Sequence, residues 1–290
     1  MPSFLELLAG PGTLIADGAT GTNYHELGIE PGKAPEEWVI EAPERVAGLH
    51  RRFVEAGSDI VLTCSFGASS LRLADEALHG RAVEVNTRAA EIAREAVGPD
   101  RLVAGSIGPT GHLTDPLGPL TRELALATFA EQAGALAAAG VDLLVLETLF
   151  SLDEGLWALA AVQSVTDLPV VVSFSFDQGT RTMMGLRPAD VVRAFAPLGV
   201  AAVGANCGKS LADTDAVVDE LLAEAGSLPL WVKPNAGVPR VVGEQVVYEA
   251  GPDDLARHVA GYAARGVRVV GGCCGSTPAH VAAIATALGR

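Results

Sequence analysis

Leu143-Leu144-Val145-Leu146-Glu147-Thr148-Leu149 is followed at once by an Ala- and Leu-rich stretch, Leu152–Val165. The head of the first run has no polar residue to turn towards water. Such a strand is covered on both faces, as in a parallel sheet flanked by helices. The second stretch carries apolar residues at i, i+3 and i+4, the spacing of a helix with one buried face. The same pair recurs in both directions from this point. Leu14–Ala19, Ile60–Phe66 and Leu102–Gly108 precede it, and Val170–Phe176, Ala202–Cys207, Leu230–Asn235 and Val267–Cys274 follow. Helices are expected over Pro43–Ala56, Ala82–Val97, Arg122–Ala139, Ala189–Pro197, Ala212–Ala225, Pro252–Arg265 and Pro278–Leu288. Pro opens several of them, and Ala-Gly or Arg-Gly closes several others.

Eight strand–helix units in 290 residues point to an α/β fold of the (β/α)8 TIM barrel type, one domain over 1–290. The rival is a doubly wound open sheet. That fold would more often carry a G-x-G-x-x-G turn, which Gly18, Gly21 and Gly271-Gly272 do not make. Gly67–Arg81 and Gly237–Ala250 read as loop insertions, the second a small hairpin around Gly243.

Charge and composition narrow the function classes. Lys plus Arg number 20 against 35 Asp plus Glu, a net charge of −15, and aromatics are only 5%. Nucleic-acid phosphates and anionic membrane surfaces would be repelled, so neither is an expected partner. No apolar run reaches the ~18–20 residues of a membrane span. The first residues lack the basic start of a signal peptide, and two of the four cysteines are adjacent. A cytoplasmic, reducing setting is expected, where cysteines serve metal or catalysis more often than crosslinks.

Catalytic groups of such barrels gather at the C-terminal ends of the strands. That rim carries Asp17, Cys64, Glu147-Thr148, Asn206-Cys207, Asn235 and Cys273-Cys274. Strands six and eight flank seven, so Cys207, Cys273 and Cys274 can converge. Three thiolates suit Zn²⁺ and leave a fourth position open, the pattern of a catalytic site. Adjacent strand residues face opposite ways, so the Cys273-Cys274 pair must leave strand geometry, and Gly271, Gly272 and Gly275 permit that. Cys64 reads as a small buried hydrophobe. A carboxylate at the end of a buried strand is costly unless paired, which marks Asp17 and Glu147 as partners for a ligand cation such as an amino group. His280 reads as a structural residue in the first turn of the last helix.

At these residues the chain resembles the homocysteine S-methyltransferase family, and most of all the homocysteine-binding module of cobalamin-dependent methionine synthase. Asp17-Gly18-Ala19-Thr20-Gly21-Thr22, Thr63–Ala68, Ser106–Gly111, Glu147-Thr148, Gly204–Cys207, Pro234–Gly237 and Gly271–Pro278 carry the likeness, in order, along nearly the whole chain. The resemblance implies a catalytic zinc on Cys207, Cys273 and Cys274. It implies Asp17 and Glu147 on the amino group of homocysteine, and backbone amides of Gly18, Ala19, Thr20, Gly21 and Thr22 on its carboxylate. Asn206 and Asn235 fall in the matched motifs, Asn235 at a position that can take zinc's open site when substrate is absent. Cys64 replaces the usual Asn and receives no role. Methionine would form by attack of the zinc-bound homocysteine thiolate on a methyl donor. The donor would be methylcobalamin or a corrinoid or folate partner protein, or free S-methylmethionine, S-adenosylmethionine or a betaine. No D-x-H-x-x-G cobalamin signature occurs. Three other readings stand beside this one. The barrel could bind homocysteine and act only with a corrinoid partner. Cys273-Cys274 could form a vicinal disulfide without metal. Lys209 or Lys233 could serve as a Schiff-base lysine.

Overall fold

The computed structural model describes residues 2–290 apart from 31, 75–76 and 244. The expected apolar runs become eight parallel strands. They are β1 (Leu14–Ile15), β2 (Ile60–Leu62), β3 (Leu102–Ile107), β4 (Leu143–Leu149), β5 (Val170–Phe174), β6 (Ala202–Cys207), β7 (Leu230–Pro234) and, after a hairpin, β10 (Val269–Val270). Their order is β1-β10-β7-β6-β5-β4-β3-β2. The two ends meet. Asp59 N donates to Ile15 O at 2.7 Å, Asp17 N donates to Ile60 O at 3.0 Å, and Ala16 pairs with Ile60 in parallel. The sheet is therefore a barrel, and the open-sheet rival is excluded.

Helices α4 (Pro43–Glu55), α5 (Ala82–Val97), α6 (Arg122–Ala138), α7 (Leu152–Val165), α8 (Pro188–Phe195), α9 (Leu211–Glu224), α10 (Pro252–Ala264) and α11 (Pro278–Ala287) lie between and after the strands. The structure adds three short helices the periodicity did not signal: α1 (Phe4–Ala9), α2 (Gly21–Glu26) and α3 (Glu37–Glu41). Each is too short for an apolar repeat to show. The expected hairpin is β8 (Pro239–Val242) with β9 (Gln245–Tyr248), antiparallel. Strands one, two and eight are shorter than their apolar runs, because the backbone turns off the sheet at Asp17, Thr63 and Gly271.

Two hydrophobic layers follow from strand alternation. Leu143 and Val145 point into the barrel with Leu14, Ile60, Leu102, Val171, Ala202, Trp231 and Val269, and Phe4 and Leu8 of α1 pack with them. Leu144 and Leu146 point outwards and join the helices. Gly204 leaves room for its neighbour across the ladder. A Cβ there would stand 1.7 Å from Trp231 O.

Gly204→Ala should therefore cost about 3 kcal/mol or more, since backbone rather than a side-chain tip must move. Urea unfolding beside the parent checks this. A second expectation concerns His50, buried on α4 with Nε2 unpartnered among the described residues. Burial lowers its pKa from 6.5 to about 4. Between those values the unfolded chain takes a proton that the folded chain refuses, so acid removes stability. Relative to His50→Leu, the parent should lose about 2 kcal/mol from pH 7 to pH 5. Urea midpoints of both proteins at the two pH values measure it.

Candidate active site at the barrel mouth

The alternation that buries Leu143 and Val145 inside the barrel carries Glu147 inside as well. Above the apolar layers, the next inward positions are Ser106 on β3, Glu147 on β4, Ser173 on β5, Asn206 on β6 and Lys233 on β7. All five are buried, and their polar atoms answer one another, as buried polar groups must. Ser106 Oγ donates to Glu147 Oε1 at 2.5 Å. Ser173 Oγ donates to Asn206 Oδ1 at 2.7 Å. Lys233 Nζ donates to Asp17 Oδ1 at 2.7 Å, across the barrel mouth from β7 to the end of β1.

The ion pair is buried on both sides, with side chains 3% and 1% exposed. The other oxygen of Asp17 accepts from Leu62 N at 2.8 Å. Burial pushes the Asp17 carboxyl up, against the pull of Lys233. Burial pushes the Lys233 ammonium down, but Asp17 and Glu147 more than offset it and its pKa is raised. An amine held so firmly as a cation is a poor Schiff-base nucleophile. Burial pushes Glu147 up to about 7, with Lys233 opposing.

The three rim cysteines meet beside this ring. Their sulfurs all lie within 4.8 Å of one another, and Cys207 Sγ is 3.0 Å from Cys273 Sγ. Cys207 ends β6 with φ at 60°, left-handed geometry that a non-glycine residue rarely takes. Thr148 on β4 shares it at 61°. Asn206 ties the two together. Its Oδ1 accepts from Thr148 N at 2.8 Å, and its Nδ2 donates to Thr148 Oγ1 at 2.7 Å. The same amide faces Cys207 Sγ at 3.6 Å and Cys273 Sγ at 3.8 Å. Asn206 thus orients the thiols rather than facing open space.

The Gly271–Ser276 segment leaves the strand as expected and is laced to its surroundings. Gly272 N donates to Asp17 O at 3.1 Å, Cys273 N to Pro234 O at 2.7 Å, and Ser276 Oγ to Cys273 O at 2.6 Å. A Cβ on Gly272 would lie 2.3 Å from Ser276 Oγ. Gly275, with φ at 79°, takes the ring of Tyr248 against its bare Cα. Tyr248 comes from the hairpin, and its ring packs beside the cysteine loop at Gly275. Burial and then the Cys274 charge hold that phenol above its usual value. No motif marked Tyr248. Only its alternation within a short hairpin strand does, and that does not reveal what the hairpin covers.

The Gly18–Thr22 segment lies against the cysteine loop. Ala19 N donates to Ser276 O at 3.2 Å and to its Oγ at 3.1 Å. Gly18 abuts Phe53 and Ser276. Gly275 N donates to Thr22 Oγ1 at 3.1 Å. Thr20 precedes α2 without a side-chain capping bond, and Gly21 begins the helix. The amide of Ala19 and the hydroxyl of Thr22 are therefore already engaged in holding the loop. Asn235, just after β7, donates from Nδ2 to Gly208 O at 2.7 Å, while its buried Oδ1 has no partner among the described residues. Cys64 is buried away from the cluster, its thiol 3.5 Å from Pro35 O. His280 caps α11 and reaches Ala250 O at 3.1 Å.

The donor set fits a soft divalent ion. Hydrogen bonds from Cys207 and Cys273 hold Cys274 well below the ordinary thiol value. Hydrogen bonds with Cys273 and Cys274, followed by burial, hold Cys207 well above it. A bound cation would allow all three of these close-set thiols to ionise.

The family model described as homocysteine S-methyltransferase matches residues 14–288. Methionine synthase of Mycobacterium leprae is 32% identical over 96% of this chain, which spans 24% of that protein's length. The metallated form of the homocysteine methyltransferase MmuM from Escherichia coli superimposes with a TM-score of 0.82 at 27% identity. There the match covers 97% of this chain and 98% of that one. A methyltransferase from Methanosarcina mazei, 14% identical with a TM-score of 0.58, shares the fold over 98% of this chain and 96% of its own. With that family model matching residues 14–288, nearly the whole chain, the chain belongs to the homocysteine S-methyltransferase family.

Proposed function

We propose that this chain transfers a methyl group to the thiol of homocysteine, giving methionine, with one zinc ion held by Cys207, Cys273 and Cys274. The observation that carries the reading is the meeting of three rim thiols with buried carboxylates at one barrel mouth. When bound, zinc supplies Lewis acidity that lowers the pKa of a substrate thiol, which is otherwise mostly protonated at neutral pH.

The chain's own residues do the positioning. Asn206 and the laced Gly271–Ser276 segment fix the sulfurs. Glu147, oriented by Ser106, sets negative charge against the substrate's amino group, with Asp17 beside it paired to Lys233. Backbone of the Gly18–Thr22 segment faces its carboxylate, with the Ala19 amide excepted. Asn235 offers its unpartnered Oδ1 beside the thiol cluster. Methyl transfer then forms a sulfur–carbon bond as the donor's bond to that carbon breaks. The thiol proton is lost, and the donor atom keeps the bonding electrons. Alignment of sulfur and methyl carbon is the main contribution of such a site.

The methyl donor stands as a set: methylcobalamin, a methylated corrinoid or folate partner protein, S-methylmethionine, S-adenosylmethionine or a betaine. Two arrangements occur among the relatives. The chain matches nearly all of the E. coli enzyme and a quarter of the mycobacterial one. The second match supports a reading in which this barrel works as a module with a separate methyl carrier. The domain 1–290 would then be its homocysteine-binding unit, in the cytoplasm.

Elemental analysis of protein purified under reducing conditions should find about one zinc per chain, and Cys207→Ser should retain far less, since a structural thiolate is lost. Full zinc and full methionine formation in Cys207→Ser would sink the reading. A panel of donors then identifies which of them supports turnover. Asn206→Ala should keep the three thiols but weaken zinc retention about tenfold to a hundredfold, the usual effect of losing a group that orients metal ligands. Competition with a chromogenic chelator measures it.

A further inference from the structure

Asp17 and Glu147 face one another across the barrel mouth, but the space between them already contains a cation. Lys233 Nζ lies 2.7 Å from Asp17 Oδ1, and Leu62 N takes the remaining oxygen at 2.8 Å. Each oxygen of Asp17 thus already accepts a hydrogen bond, inside a pocket where the carboxylate is 1% exposed. Glu147 differs. Among the described residues its hydrogen-bond donor is Ser106 Oγ, to Oε1, and the residue is 7% exposed. With all three groups ionised the mouth carries one net negative charge, enough for a single ammonium.

We infer that Lys233, and not the substrate, is the cation that Asp17 holds, so that Glu147 alone receives the substrate's ammonium. Asp17 is then a positioning residue that works through Lys233, and Lys233 is a specificity-determining residue that sets the charge of the mouth. The inference rests on the homocysteine reading above. It makes the preference for an amino-bearing thiol a property of one carboxylate. Removing Asp17 alone frees Lys233 to pair with Glu147 and cancels the charge that the ammonium needs. Removing both members of the pair returns the mouth to one negative charge.

The test is direct binding by isothermal titration calorimetry. Homocysteine and 4-mercaptobutyrate share thiol and carboxylate and differ in the amino group, so the ratio of their Kd values reads the ammonium alone. The parent should prefer homocysteine by about tenfold to a hundredfold, the range of a hydrogen bond to a charged group. Asp17→Asn should lose most of that preference, and Asp17→Asn with Lys233→Met should regain it. Glu147→Gln should abolish it. A double variant as poor as Asp17→Asn, or a Glu147→Gln protein that keeps its preference, would overturn the inference. Should the Asp17 variants fail to fold, as a melting curve would show, Glu147→Gln decides alone. A folded, zinc-loaded parent that binds no homocysteine would instead overturn the substrate reading, and the inference with it.

Discussion

A strand in a closed barrel presents every second residue to the axis, and the axis-facing side chains below the mouth of this barrel are apolar and buried. That constraint organises the molecule. Leu143 and Val145, Leu102 and Ala104, Ala202, and Trp231 fill the lower layers. One step further along the same strands the inward position is Glu147, Ser106, Asn206 or Lys233. Nothing else in the chain forces those side chains together. They meet because each continues the inward parity of its own strand, and because the eight strands end at one rim.

The fold was legible because a continuous apolar run is written eight times, with helical spacing between the repeats. The convergence of Cys207, Cys273 and Cys274 was legible too, since strands six and eight flank seven and three glycines release the last pair from the sheet. The rest was hidden for physical reasons. Lys233 invites consideration as a nucleophile when read in its own segment, because Asp17 stands more than two hundred residues away, with a separation of 216. Its parity after Trp231 does place it inside the barrel, and a buried lysine requires a carboxylate. Tyr248 sits in a hairpin whose docking over Gly275 depends on tertiary contact. Helices α1 to α3 are shorter than the repeat that would announce them.

The polar ring also explains why an ion pair this deep is tolerated. Burying Asp17 or Lys233 alone would cost several kcal/mol. Together, with Leu62 N on the second oxygen, they leave no carboxylate oxygen without a donor. Such a pair contributes little net stability against an apolar substitute. Its presence in the mouth rather than in the lower layers is therefore more readily understood through charge. With all three ionised, Asp17, Lys233 and Glu147 sum to one negative charge beside the sulfur cluster.

Strain follows the same geography. Thr148 and Cys207 are the two non-glycine residues with positive φ among the described residues, and such residues cost about 1–3 kcal/mol each when the conformation is sparsely populated. They lie on different strands, yet one side chain serves both. Asn206 bonds the backbone and hydroxyl of Thr148 and is covalently next to Cys207. A relaxed Cys207 would carry its sulfur away from Cys273, and a relaxed Thr148 would release the amide that holds Asn206. The two strained residues are thus one mechanical unit, in which a buried amide converts the rigidity of β4 and β5 into the placement of a sulfur on β6. By contrast, the Cys273-Cys274 pair reaches the same point through glycines, where departure from strand geometry is cheap. Two of the three sulfurs are placed by permissive backbone and one by enforced backbone, so the position of Cys207 depends most on the ring around it.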